Sequence, residues 1–145
     1  MKTPYDAALR LRQRELDAMS EQIARVSGDL DRIGQQGAAV EEAIRKEESL
    51  VSGDYTLSAA AYFTRMRAQR AQLAQNAQDT GRALDKLRGE TVETLGSLRA
   101  IESAVANYRT EVEREIARGE QATMDDTAAI SFIKSRREWQ KRRPR

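Results

Sequence analysis

Three adjacent carboxylate pairs, Glu41-Glu42, Glu47-Glu48 and Asp125-Asp126, are where this sequence sets two acid/base groups side by side. Shared proton transfer needs both groups aimed at one site, whereas neighbours on a helix point about 100° apart. The pairs therefore read as solvated faces or caps. With no His and no Cys, the commonest metal ligands, general bases and thiolate nucleophiles are missing. No phosphate-cradling G-x-x-x-x-G-K-[ST], no dinucleotide G-x-G-x-x-G and no nucleophile elbow occurs. The expectation is a non-enzyme with no cofactor, no metal and no small-molecule substrate.

A second cluster is built for binding rather than catalysis. Lys134, Arg136, Arg137, Lys141, Arg142, Arg143 and Arg145 surround Trp139, a set that suits nucleic acid, anionic lipid or an acidic protein surface. Of the 25 Lys/Arg and 23 Asp/Glu, residues 134–145 hold seven and one, leaving 18 basic and 22 acidic side chains in residues 1–133. The basic character belongs to the tail, and an acidic body disfavours nucleic acid as the partner.

What must position these groups is helix. From Leu9 to Val51 apolar residues recur at alternating intervals of three and four, the mark of a coiled-coil seam. The a positions are Leu9, Leu16, Ile23, Leu30, Gly37, Ile44 and Val51, and the d positions are Arg12, Met19, Val26, Ile33, Val40, Glu47 and Asp54. A first helix over about residues 5–51 is expected, beginning after Pro4, with a length of roughly 70 Å. A turn over residues 52–58 follows, with Thr56 or Ser58 as its helix N-cap. A second heptad run begins at Ala59 and continues through Phe63, Leu73, Leu84, Leu98 and Val105 to about residue 121, with continuation or a restart towards 140.

Two such helices joined by a short turn fold back on each other, so the expected fold is all-α: a long two-helix antiparallel coiled-coil hairpin with a helical C-terminal overhang. The seams fix a register in which paired positions sum to about 110, so that Ile33 meets Ala77, Gly37 meets Leu73 and Leu9 meets Ile101. Val105 then falls opposite Tyr5, and the helix beyond about Tyr108 lacks a partner although Val112 and Ile116 extend its stripe. Seven glycines inside predicted helix, each costing roughly 1 kcal/mol against Ala, predict marginal stability and bending near residues 34–37 and 81–96. Tyr55, Leu57, Tyr62 and Phe63 cluster at the turn, either capping the seam or forming a docking point. The charged N-terminal residues and the lack of any uncharged run of about 20 residues lead us to expect a soluble, cytoplasmic protein.

Residues 8–17 followed by a heptad hairpin, and Tyr108-Arg109 with Arg118-Gly119-Glu120-Gln121 and then Met124-Asp125-Asp126-Thr127-Ala128-Ala129, resemble the flagellar type III export proteins of the FliJ family. The family's signature looks like Arg-Glu-Gln-Lys-x-x-Asp-Glu-x-x-Ala; here Gly119 precedes Glu-Gln and Ala122 stands where Lys is common. The resemblance implies a small stalk, similar to that of rotary ATPases, that inserts its paired termini into the ring of the flagellar export ATPase. Its hairpin is implied to engage the membrane export gate, and the family also escorts export chaperones. The ATPase-facing residues would be Val105, Tyr108, Val112, Ile116, Glu120 and Gln121, and the gate-facing ones Tyr55, Leu57, Tyr62 and Phe63. The implied place is the cytoplasmic face of the inner membrane. Rival expectations are a generic coiled-coil scaffold dimerising through the overhang and a nucleic-acid-binding protein using the basic tail.

Overall fold

The computed structural model describes residues 1–51 and 57–143, with the backbone alone at Leu57. The chain is all-α, as its periodicity predicts: two long helices pack against each other, with no strand among the described residues. Helix α1 spans Asp6–Leu50 and α2 spans Leu57–Lys141. The expected turn centre, Tyr55, and the candidate cap Thr56 lie outside the described residues. Ser58, the other candidate cap, stands inside α2, because that helix begins one residue before it. Past Gly119 α2 runs on without a break, so the choice between continuation and restart resolves as continuation.

The start of α1 has a defined cause. Thr3 is buried, its backbone N–H donates to Asp6 Oδ2 at 3.1 Å, and its hydroxyl donates to Asp6 Oδ1. Pro4 between them supplies the fixed φ suited to a first turn, and the Asp6 carboxylate sits at the positive end of the helix. Thr3 and Asp6 thereby form one half of a capping box.

The chain divides into two compact units. In the unit Arg10–Leu98, the best-packed region is a cluster of Val40, Ile44, Ala59 and Phe63, with Val51, Tyr62, Met66 and Leu73 against it. Arg70 reaches across from α2 to Glu41 on α1 at 3.2 Å, a pair summing to 111. Ile33, Gly37, Leu73 and Ala77 line one space, as the sum-to-110 register requires. The space is an open cleft of about 200 Å³, and a Cβ added to Gly37 would meet nothing within 4 Å, so the small residues there do not bring the backbones into close contact. Further along α2, Leu84, Leu87 and Leu98 are buried.

Two threonines of the α2 seam, Thr91 and Thr94, find local partners. Thr91 donates to the Leu87 carbonyl at 2.7 Å, and the buried Thr94 donates to the Glu90 carbonyl at 3.0 Å. Bonding back to residue i−4 satisfies the hydroxyl without a cross-helix partner and tends to bend the helix slightly. Among the described residues no buried side-chain nitrogen or oxygen is left without a partner.

The second unit comprises Met1–Leu9 and Arg99–Arg145. The Tyr5 ring meets Tyr108 edge-on, with centroids 6.3 Å apart, and Val105 is buried. That contact falls three residues, about one helical turn, beyond the position the register assigns to Tyr5. From Tyr108 onward only Val112 is partly covered; every other described residue to Arg143 is exposed.

Candidate partner-binding surfaces

Both groups of residues that the sequence marks for partner binding divide, once placed, into those used in packing and those on the surface. At the hairpin end Phe63 is 3% exposed and belongs to the core cluster, so it offers no docking surface. Tyr62 is half-buried, its ring 5.8 Å from that of Phe63 at 73°. Arg67 lies over the Phe63 ring, its guanidinium carbon 6.0 Å from the centroid. Tyr55 and the Leu57 side chain lie outside the described residues.

At the other group, Val105 is 7% exposed and packs inward, which removes it as a contact surface. Tyr108 is 38% exposed: one edge rests on Tyr5 and the rest faces solvent. Val112 is partly covered and Ile116 is 54% exposed. Glu120 is exposed, and the exposed Gln121 donates from Nε2 to Asp125 Oδ1 at 2.8 Å. At 3.6 residues per turn Tyr108, Val112 and Ile116 share one stripe, continuous with the buried Val105. A helix that carries the inward face of its own hairpin past the end of the covering partner presents a ready-made site for another apolar surface.

Charge borders that stripe in pairs. Arg118 bonds Glu115 at 2.7 Å and lies 3.8 Å from Glu111, while Arg114 lies 3.7 Å from Glu111. These exposed i,i+3 and longer pairs add only a few tenths of a kcal/mol each. Their effect is to hold long side chains along the helix and leave the apolar edge open.

A third exposed surface lies further along α2, around the basic tail. Ile130, Phe132 and Ile133, just before the basic residues 134–143, and Trp139, among them, are all exposed. Arg143 stacks on Trp139 with its guanidinium carbon 4.6 Å from the ring centroid.

The described residues hold no cluster of three His, Cys, Asp or Glu arranged to grip a metal ion. None of their helices is long and apolar enough to cross a membrane. The concave spaces are open clefts between α1 and α2, such as the one lined by Asp29, Arg32, Gln36, Asn76 and Asp79. Comparison of the chain with protein-family models, curated proteins and solved structures finds no match.

Proposed function

We propose that this chain is a non-enzymatic stalk and adaptor of a bacterial flagellar type III export apparatus, docking through its uncovered α2 stripe into the export ATPase ring. The observation that carries the reading is the exposed continuation of a buried seam, Tyr108, Val112 and Ile116, immediately beyond Val105. Beside it stand Glu120 and Gln121, which match part of the signature whose resemblance suggested the family. In this reading Tyr5 and Tyr108 brace the paired termini, the stripe enters an apolar site on the ring, and segment 52–58 faces the membrane export gate. Export chaperones are further partners of the same apparatus, and the protein works at the cytoplasmic face of the inner membrane.

Pull-down with a purified flagellar export ATPase tests the assignment. The intact chain should be retained, Val112→Asp should abolish retention, and Tyr108→Ala should weaken it by about tenfold, the loss of one aromatic contact at an interface centre. No retention of the intact chain would remove the proposal.

One observation favours a second reading, a scaffold that dimerises through this helix. Ile130 and Ile133 extend the stripe of Val112 and Ile116, as self-association through a helix face would need. Sedimentation showing a tight, concentration-dependent dimer lost in Val112→Asp, without ATPase binding, would establish it in place of the first.

A further inference from the structure

The last turns of α2 combine two properties in one surface. Phe132, Ile133 and Trp139 are 67%, 49% and 60% exposed. Residues 134–143 carry six Lys/Arg against the single Glu138, a net charge of +5, while residues 1–133 are net acidic. At 100° per residue Ala128, Ala129, Phe132, Ile133 and Trp139 fall within an arc of about 140°. Lys134, Arg137, Lys141 and Arg142 fall on the remaining arc. Arg136 and Gln140 lie within the apolar arc and Ile130 on the basic one; just past the helix end Arg143 stacks on Trp139 at 4.6 Å, which shows how a long basic side chain lays itself along the ring. Long basic side chains in that position run their stems over apolar surface and carry the charge to the edge.

We propose that residues 128–141 form an interfacial helix that lies on an anionic lipid surface, with Phe132, Ile133 and Trp139 entering the headgroup boundary and the flanking Lys and Arg, Arg142 and Arg143 included, binding lipid phosphates. Charge complementarity selects an anionic occupant, and the exposed aromatic and aliphatic groups choose among anions. Duplex nucleic acid would satisfy the cations but leave Phe132 and Ile133 in water, whereas a bilayer interface takes up both. A second copy of the chain, pairing along Val112 and Ile116, would leave Phe132 and Trp139 uncovered, because these lie across the helix from that stripe. The net negative charge of residues 1–133 restricts the approach to this segment, since anionic lipid repels the rest. The inference does not depend on the export assignment: it uses a different face and different residues.

Trp139 is the only tryptophan of the chain and so reports on the event directly. The full-length protein is titrated with vesicles of phosphatidylglycerol mixed with phosphatidylcholine, with vesicles of phosphatidylcholine alone, and with duplex DNA, following Trp emission and co-sedimentation. A blue shift and sedimentation with the anionic vesicles only is the expected result. The triple variant K134Q/R137Q/K141Q keeps good helix formers and should bind about a hundredfold more weakly, at roughly fivefold per charge. F132A/I133A keeps both the charge and the reporter and should bind more than tenfold more weakly. Equal binding to neutral vesicles, anionic binding that neither variant weakens, or retention on DNA without any response to vesicles would each overturn the proposal.

Discussion

Phe63 and Leu50 mark the extremes of what an apolar side chain does here. Leu50 is 78% exposed at the end of α1, while Phe63 is 3% exposed in the best-packed cluster. Phe63→Ala should lower unfolding free energy by about 3 kcal/mol, from lost transfer energy and the cavity left behind. Leu50→Ala should change it by less than about 0.5 kcal/mol. Urea unfolding followed by circular dichroism checks both, and near-equal effects would mean that the cluster is not the stability centre. Asp6→Ala tests the capping contact, since it removes the acceptor of both the Thr3 N–H and the Thr3 hydroxyl; a loss of about 1 kcal/mol is expected. Heptad position in the sequence placed Phe63 on the inward face, but near a turn the period alone does not say whether a partner helix or another molecule covers that face. The capping role of Thr3 was written in Thr3-Pro4-Tyr5-Asp6, a short signal that the apolar pattern of the long helix overshadowed.

Helix periodicity made α1, α2 and their register legible because seam positions must match on both helices, and a slip of one residue would set knobs against knobs instead of holes. Glu41 with Arg70, and Ile33 beside Ala77, fall close to the predicted sum. Packing quality was not legible, since a heptad pattern fixes which residues face each other but not how closely the backbones approach. The gap beside Gly37 is the result. A Cβ built on any of the seven helical glycines meets nothing within 4 Å, so these glycines are not required by close approach. Gly28→Ala and Gly96→Ala should each stabilise by up to about 1 kcal/mol through helix propensity. Ala77→Leu should add stability by filling space beside Ile33, an effect read from the same melts. A destabilising result at Gly28 or Gly96 would show that flexibility there is tied to a conformation other than this one. For a stalk that bends under load, stiffened variants retaining ATPase binding but losing export would connect these glycines to function.

For the molecule as a whole, the division between covered and uncovered helix decides where function is sought. Tyr5 against Tyr108 closes the pairing in the unit formed by Met1–Leu9 and Arg99–Arg145, and residues 113–143 stand exposed beyond it. The sequence located that limit within one turn, because the apolar stripe of α2 outlasts the chain available to cover it. For the basic segment it left nucleic acid, anionic lipid and an acidic protein surface side by side, since charge counts carry no information on whether Phe132 and Trp139 are covered. The most direct measurement is amide hydrogen exchange on the full chain, alone and with a flagellar export ATPase. Alone, amides of residues 84–105 should exchange slowly and those of residues 109–121 at least a hundredfold faster, following their exposure. With the ATPase, residues 109–121 should become protected while 84–105 change little. Unchanged fast exchange at 109–121 in the presence of the ATPase would contradict the account.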